Sequence, residues 1–363
     1  MSVFAKGQTS TAVHSTDAAM AQRQGEAIRD HFTLSAVHLY AQLVIGMALV
    51  LYRHVSTPGY MSLALLIVPL VLLYAVSCRL SQREGIMERP LGKAADVLLF
   101  LCLFSDAQMS LYAFTEIVRE MLPDYNSAVI ALVTLLCVLP SLKKQNAHAL
   151  PTLGRLLKIP LIVGIGFCML TAARRGSMSH LFPLFGMGER RIFTGAFWMC
   201  SALSAALTPL YIKTPLLTMQ QKKRGFFALL SSLLFGCVTA FWAAYMLPFY
   251  FLARPDTMGA QLLLPLKVYP TLSSWSVMVC LMMLLLLVSL ASALSRGRHI
   301  LSHVIQKPIS IWAAFLLVPL PALSTDIALQ IVAHWAPVRI FCMAAALLLL
   351  AFAGKGRKEG KTA

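Results

Sequence analysis

One carboxylate stands alone inside a long apolar stretch of this sequence. Asp106 lies near the middle of residues 94–118, in the segment LCLFSDAQMSLYAF. A charged side chain at that depth in a bilayer is costly unless it faces protein or water. Ser110 follows one helical turn later on the same face. The two residues could line the path of a polar ligand or a proton; alternatively, Asp106 is neutral or hydrogen-bonded to a neighbouring helix and serves packing.

Four more positions could contact the same ligand. Gly46, in VIGMALV, could mark an unwound helix whose free backbone groups bind a polar molecule, with Met47 beside it. Ser201 and Ser204, in WMCSALSAALTP, could present their hydroxyl groups. The alternatives are close helix packing at the glycine and serine hydroxyls bonded to their own backbone. All six residues are therefore candidates for ligand binding.

The composition shows which elements must position these residues. Of the 363 residues, 58% are hydrophobic and only 12% are charged, and the mean hydropathy is +0.74. A soluble domain has about twice that charged fraction, and a disordered chain has low hydrophobicity, so neither class fits. A helix that crosses a bilayer needs about 20 apolar residues. The sequence predicts an all-α polytopic membrane protein embedded in a lipid bilayer.

Ten apolar stretches are long enough to cross a membrane. We expect a flexible cytoplasmic tail over residues 1–32, a transmembrane domain over 33–353 and a basic cytoplasmic tail over 354–363. Ten spans divide into two halves of five, and an odd number of crossings inverts the second half, as in many secondary transporters. We therefore expect a five-plus-five inverted repeat. The stretches are 33–52, 60–78, 94–118, 126–142, 156–173, 192–212, 225–252, 270–295, 308–324 and 337–353.

The net charge of +17 indicates orientation rather than nucleic-acid binding. With the N-terminus inside, 22 of the 31 Lys and Arg residues fall on inner segments and 9 on outer ones. Cytoplasmic loops carry such an excess, so we expect both termini in the cytoplasm and no nucleic-acid partner. The exceptions cluster on one outer loop: Arg174, Arg175, Arg190 and Arg191. Either this loop carries a functional basic patch, or the span count is wrong there. Arg190 and Arg191 in particular could bind an anion, anchor a helix at the interface or contact an extracellular partner.

Several stretches resemble one family of membrane proteins. They are MLPDYNSAVIALV from Met121, LPTLGRLLKIPLIV from Leu150, LFPLFGMGERRIFTGAF from Leu181 and, more weakly, LPLKVYPTL from Leu264. In order and spacing they resemble segments of the B subunits of spore germinant receptors. These are the endospore germination permeases of the amino acid–polyamine–organocation superfamily. The resemblance extends over roughly residues 32–352.

The resemblance implies both an activity and partners. Members of this family sense small polar nutrients, typically amino acids, beside an A-type membrane subunit and a C-type lipoprotein. The resemblance also implies a ligand site between spans one, three, six and eight, and a location in the spore inner membrane or the plasma membrane. Span six of the family usually has a break that contains a glutamate. Here the span has no glutamate, and no Gly or Pro interrupts it from Trp198 until Pro209.

The remaining motifs predict neither an enzyme nor a cofactor. The sequence contains no Walker loop, GxGxxG, HExxH or nucleophile elbow. His299 and His303 have a spacing that can hold zinc, but no third ligand is near and arginines flank them, so we expect no metal site. Two alternatives to germinant sensing stay open. One is an ordinary amino-acid transporter of the same superfamily, and the other is a membrane scaffold that transports nothing.

Overall fold

The computed structural model describes nine stretches of the chain, and most of their residues are helical. The stretches are residues 5–48, 59–83, 85–142, 149–173, 176–181, 188–212, 217–246, 272–323 and 325–355. No β-strand occurs within them, so the predicted all-α class is confirmed there. The α-helices are α1 (Ala5–Gly46), α2 (Gly59–Leu65), α3 (Ile67–Ser81), α4 (Pro90–Met121), α5 (Ser127–Val138), α6 (Ala149–Ala173), α7 (Glu189–Met199), α8 (Thr208–Ile212), α9 (Met219–Met246), α10 (Leu272–Ile305), α11 (Pro319–Ala322) and α12 (Thr325–Lys355). The 3₁₀ helices in these stretches are Leu139–Leu142, Met178–Leu181, Cys200–Leu207 and Ile311–Leu317.

Six helical segments are long and apolar enough to cross a membrane, and they overlap six of the ten expected stretches. They are Tyr60–Ser81, Pro90–Met121, Glu189–Ile212, Met219–Tyr245, Met278–Ile305 and His334–Ala353. Ser127–Leu142 and Ile311–Ala322 are apolar but shorter. Large apolar side chains are strongly exposed on the outside of the helices; Val68 is 64% exposed and Phe341 is 70% exposed. Such surfaces suit contact with lipid, and the chain is a multi-pass membrane protein.

The first helix is longer than the sequence predicts. The expected tail covers residues 1–32, whereas α1 begins at Ala5 and continues to Gly46. The sequence has no proline before Pro58, and its many Ala and Gln residues favour a helix. Residues 5–32, which the sequence assigns to the tail, are therefore helical in the structure. A π-type turn at Met47 and Ala48 follows the helix.

The helix α4 forms the centre of the packing. Both α10 and α12 pack along it, and α1 packs against α6, α9 and α10. The main apolar core between these helices includes Leu39, Tyr112 and Leu285. A smaller core that includes Cys102 and Cys342 joins α4 to α12. This packing brings the polar faces of α1, α4, α10 and α12 together in the interior.

Predicted span six is helical throughout but changes its winding. The helix α7 continues into the 3₁₀ helix Cys200–Leu207 and then into α8 without a gap. A 3₁₀ helix rarely exceeds about four residues, and one inside a longer helix often marks a hinge or strain. Ser77 of α3 donates a hydrogen bond to the carbonyl of Ala206 over 3.0 Å, which ties this segment to its neighbour. The structure thus has a tighter helix where the family usually has a break.

Some sequence predictions lie outside the described residues. Among them are Arg174 and Arg175, the weaker family match at residues 264–271, and residues 356–363 of the basic tail. Residues 49–52, at the end of the first expected span, are also outside them.

Candidate functional site

Asp106 lies at the centre of a cluster of buried polar side chains. It belongs to α4, and its side chain is completely buried. Ser204 donates to Oδ2 over 2.5 Å, His38 Nε2 lies 3.2 Å from the same oxygen, and Arg339 donates to Oδ1. These partners come from the 3₁₀ helix Cys200–Leu207, from α1 and from α12. The predicted polar face of α4 is therefore a meeting point of helices that are far apart in the sequence.

Arg339 is the counter-ion of Asp106. Its Nη2 donates to the carboxylate of Asp106 and lies 3.3 Å from Oε1 of Gln42. The exposed fractions of the two charged side chains are 4% and 0%. Removing either partner of a buried ion pair leaves the other charge uncompensated in a medium of low dielectric constant. Asp106 is thus one half of a buried pair rather than an isolated carboxylate.

A chain of hydrogen bonds continues from Asp106 into α10. A carboxylate only accepts hydrogen bonds, so His38 donates from Nε2 to Asp106. In the neutral ring Nδ1 then accepts from Ser289 Oγ, at 2.8 Å. Ser110 Oγ lies 2.9 Å from Ser289 Oγ and accepts from Gln42 Nε2 over 3.0 Å. Neutral groups as well as charges therefore connect α1, α4 and α10.

The order Asp106–His38–Ser289 is also the order of groups in a serine hydrolase triad. In such a triad the serine oxygen is free to attack a substrate. Ser289 is completely buried, and its oxygen also lies 3.3 Å from Gln42 Nε2. The carboxylate is in addition neutralised by Arg339. This geometry suits ligand binding or coupling between helices better than nucleophilic catalysis.

Two of the predicted ligand residues take part in apolar packing. A Cβ added to Gly46 would lie 2.7 Å from the sulfur of Met199, so the end of the Met199 side chain on α7 packs directly against this glycine of α1. Met47 is 1% exposed and belongs to the main apolar core. The described contacts of both residues are thus apolar packing contacts.

The two serines of span six have different surroundings. Ser204 donates to Asp106, and its carbonyl accepts a hydrogen bond from the Tyr211 hydroxyl over 3.4 Å. Ser201 is buried in the same 3₁₀ helix but is not among the described residues that contact the Asp106 carboxylate. Of the six candidates, the structure therefore groups Asp106, Ser110 and Ser204 in one cluster.

A second buried arginine lies nearer to one end of α10. Arg296 is 8% exposed, and its Nη2 donates to Ser35 Oγ over 2.8 Å. The centre of its guanidinium lies 6.0 Å from the centre of the Tyr211 ring. Ser35 Oγ also lies 2.7 Å from Thr208 Oγ1. In the part of the chain that the structure describes, no Asp or Glu forms an ion pair with Arg296, and its buried Nη1 has no hydrogen-bond partner.

Other candidate charges lie away from this interior. His303 Nδ1 lies 3.1 Å from Asp96 Oδ2, so this histidine contacts a carboxylate. Arg190 and Arg191 are exposed in the first turn of α7. Among the described residues, no group of three or more His, Cys, Asp and Glu side chains is arranged to hold a metal ion. These residues do not extend the Asp106 cluster.

Both buried arginines enter the sequence-based charge count as loop charges and are not among the predicted site residues. Arg339 is counted among the nine outer charges although it falls within the expected span 337–353, and in the structure it lies well inside α12. Arg296 is counted in an inner loop, but α10 continues to Ile305. One sequence pattern could have identified Arg296. Its spacing from Ser289 and Ser292 places all three residues on one face of a helix.

Comparisons with known proteins give only a distant likeness. No family model matches this sequence, and no curated protein matches it. Among solved structures, the chain is similar to the manganese transporter of Eremococcus coleocola. A single-residue mutant of that transporter is 14% identical, and the match covers 92% of this chain and 77% of that chain with a TM-score of 0.48. The same transporter in complex with an aromatic bis-isothiourea substituted compound is 13% identical in sequence. That match covers 92% of this chain and 76% of the transporter chain, with a TM-score of 0.46.

Proposed function

We propose that this chain is a permease-like subunit of a spore germinant receptor that senses, and can transport, a small polar nutrient such as an amino acid. One observation carries the proposal: a fully buried cluster around Asp106 joins helices from across the chain. Ionisable groups inside membrane helices are costly and usually mark ligand or ion pathways. The resemblance of the sequence to germination permeases supports the more specific role.

An exchange of ionic partners would link ligand binding to movement. An amino acid carries an ammonium group, which can replace Arg339 at Asp106, and a carboxylate, which can pair with the released arginine. That exchange would loosen α12 from α4 and free the adjacent 3₁₀ helix Cys200–Leu207 to rewind. A ligand that binds one helix arrangement better than another shifts the equilibrium between them.

The proposed architecture has ten spans in two inverted halves with both termini in the cytoplasm. Besides the six long spans, α1, α6 and the two shorter apolar segments lie at the four remaining expected positions. Cysteine labelling in intact cells tests the orientation in a variant without the native cysteines. A membrane-impermeant thiol reagent should label Arg190→Cys but not Lys93→Cys. Equal labelling at both positions would contradict it.

Binding is tested by thermal unfolding of the purified protein in detergent with each standard amino acid added singly. At least one amino acid should raise the unfolding midpoint of the wild type, and Asp106→Asn should abolish that rise. Asp124→Asn is the matched control because Asp124 is an exposed acid in the turn after α4, and it should keep the rise. An unchanged midpoint with every amino acid, or an unchanged response in Asp106→Asn, would refute the site.

The receptor role and the proposed location in the spore inner membrane or plasma membrane are tested separately. An affinity-tagged copy in its spore-forming host should fractionate with that membrane and co-purify with an A-type subunit and a C-type lipoprotein. If binding is retained but neither partner co-purifies, an ordinary transporter is the better description. Uptake of labelled amino acid into proteoliposomes that stops when the proton gradient is dissipated would then establish transport.

The direct pairing of Asp106 with Arg339 favours one second candidate, a scaffold subunit that binds no nutrient. In a scaffold, the Asp106–Arg339 ion pair would have a single role, which is to hold α4 and α12 in register. For a scaffold, Asp106→Asn should retain assembly with the partner subunits and leave spore germination unchanged. Loss of the germination response with assembly retained would exclude it.

A further inference from the structure

The buried groups around Asp106 and Arg296 carry more positive than negative charge; the other two buried acids, Asp96 and Glu116, contact His303 and Arg119 instead. Arg339 and Arg296 contribute two positive charges, and Asp106, which already pairs with Arg339, contributes one negative charge. His38 adds either no charge or a further positive one, because its ring is neutral or protonated. At least one positive charge in this group therefore lacks a counter-ion among the described residues.

The uncompensated charge is located at Arg296. Its Nη2 is satisfied by Ser35 Oγ at 2.8 Å, but this partner and the Tyr211 ring are uncharged. Nη1 is buried and has no hydrogen-bond partner in the described structure. A water molecule could accept its hydrogen bond but would not neutralise the guanidinium. A buried charge is strongly unfavourable without an opposite charge nearby.

A second unpartnered donor lies on the same face of α10. Ser292 is completely buried, and its hydroxyl has no hydrogen-bond partner within the described residues. It precedes Arg296 by one helical turn and follows Ser289 by another, so the three residues share one face of α10. Two hydrogen-bond donors on adjacent turns of one helix are a suitable set for one small anion.

The position also provides a route of entry. One helical turn beyond Arg296, His299 is exposed, and one turn before Ser35 on α1, His31 is exposed. Arg296 is thus flanked by an exposed residue on each helix, and on α10 it lies nine residues before the end of the helix at Ile305. Ser289 is seven residues away in the other direction, about 10 Å along the helix axis, so an anion that approaches from the His299 side does not have to displace the Asp106 cluster.

We infer that Arg296, together with Ser292, forms a binding site for a small monovalent anion, either a free carboxylate or a halide. The site is separate from the Asp106 cluster and does not depend on the proposed nutrient-sensing role. The bound anion compensates the guanidinium, and it stabilises the arrangement in which α1, α8 and α10 surround Arg296.

Thermal unfolding of the purified full-length protein tests this inference. Sodium chloride or sodium acetate is titrated at constant ionic strength against the sodium salt of the bulky sulfonate MES. Because a ligand that binds only the folded state stabilises it, we expect the unfolding midpoint to rise with the logarithm of the anion concentration once that concentration exceeds the dissociation constant, by about 2 °C or more in total. A rise with acetate alone identifies a carboxylate site, and a rise with both salts a general site for small anions. No rise with either salt in the wild type would overturn the inference.

Variants assign the response to Arg296. Arg296→Gln should remove the rise, and Arg296→Lys, which keeps a positive charge, should retain it at a higher anion concentration. Arg190→Gln is the matched control because Arg190 is an exposed arginine that the sequence alone nominates for anion binding, and it should respond like the wild type. An undiminished rise in Arg296→Gln, or its loss in Arg190→Gln alone, would place the anion elsewhere.

Discussion

The two buried arginines differ in what surrounds them. Arg339 and Arg296 are 4% and 8% exposed, yet only Arg339 contacts a carboxylate. The first forms a closed pair in which both charges are compensated by the protein itself. The second is surrounded by a hydroxyl group, a backbone carbonyl and an aromatic ring. Burial alone therefore does not define the role of a charged side chain; the charge of its neighbours does.

The helices explain this difference. Because α12 packs along α4, it brings Arg339 directly to Asp106. Arg296 lies on α10, where the facing residues of α1 and α8 include Ser35 and Thr208 but no acid among the described positions. The same type of residue thus serves as a helix–helix contact in one place and as a receptor for an external charge in the other.

Replacing Arg339 with Met should have the largest effect. It leaves the Asp106 carboxylate buried without its counter-ion, and we expect the free energy of unfolding to fall by about 3–5 kcal/mol. Unfolding by added SDS in detergent micelles measures the change. Adding Asp106→Asn to Arg339→Met removes the uncompensated charge and should restore most of the loss. If the free energy of unfolding falls no further than in the exposed control Arg190→Met, Arg339 does not compensate the buried Asp106 carboxylate.

Ser289→Ala should have an intermediate effect. It removes the hydroxyl that contacts His38, Ser110 and Gln42, so it weakens the link between α10 and the paired carboxylate. We expect a loss of about 1–3 kcal/mol in the same unfolding measurement, because buried polar groups lose a partner. Ser231→Ala is the control, since that hydroxyl donates to the carbonyl of Ala228 within its own helix. Equal losses for both variants would contradict a connected cluster.

Arg296→Met should not cause the loss of stability that we expect for Arg339→Met. Without small anions in the buffer, it replaces an uncompensated buried cation with an apolar side chain. We expect the free energy of unfolding to stay constant or to rise by about 1 kcal/mol. The same SDS unfolding, with MES as the anion, compares the two variants directly. A loss as large as that of Arg339→Met would mean that the protein itself supplies a counter-ion, and the contrast between the arginines would disappear.

The contrast between the arginines also shows how much of the site the sequence could predict. The depth of Asp106 in an apolar stretch identifies it as unusual, and helical spacing places Ser110 on the same face. The partner Arg339 is 233 residues away, so its contact depends on how α4 and α12 pack. Local spacing contains no information about that packing. The span count has a similar limit, because loop charges cannot be separated from interior charges until the ends of the helices are known.

Ser292→Ala should have the smallest effect on stability and the most selective effect on anion binding. The hydroxyl is buried without a partner in the described structure, so its removal breaks no hydrogen bond within that part. We expect the free energy of unfolding to change by less than about 0.5 kcal/mol. If Ser292 donates to the anion at Arg296, the concentration needed for the midpoint rise should increase about two- to tenfold, the equivalent of one hydrogen bond. Ser302→Ala is the control, because that hydroxyl donates to the carbonyl of His299 on the same helix. An unchanged anion affinity in Ser292→Ala would restrict the site to the guanidinium.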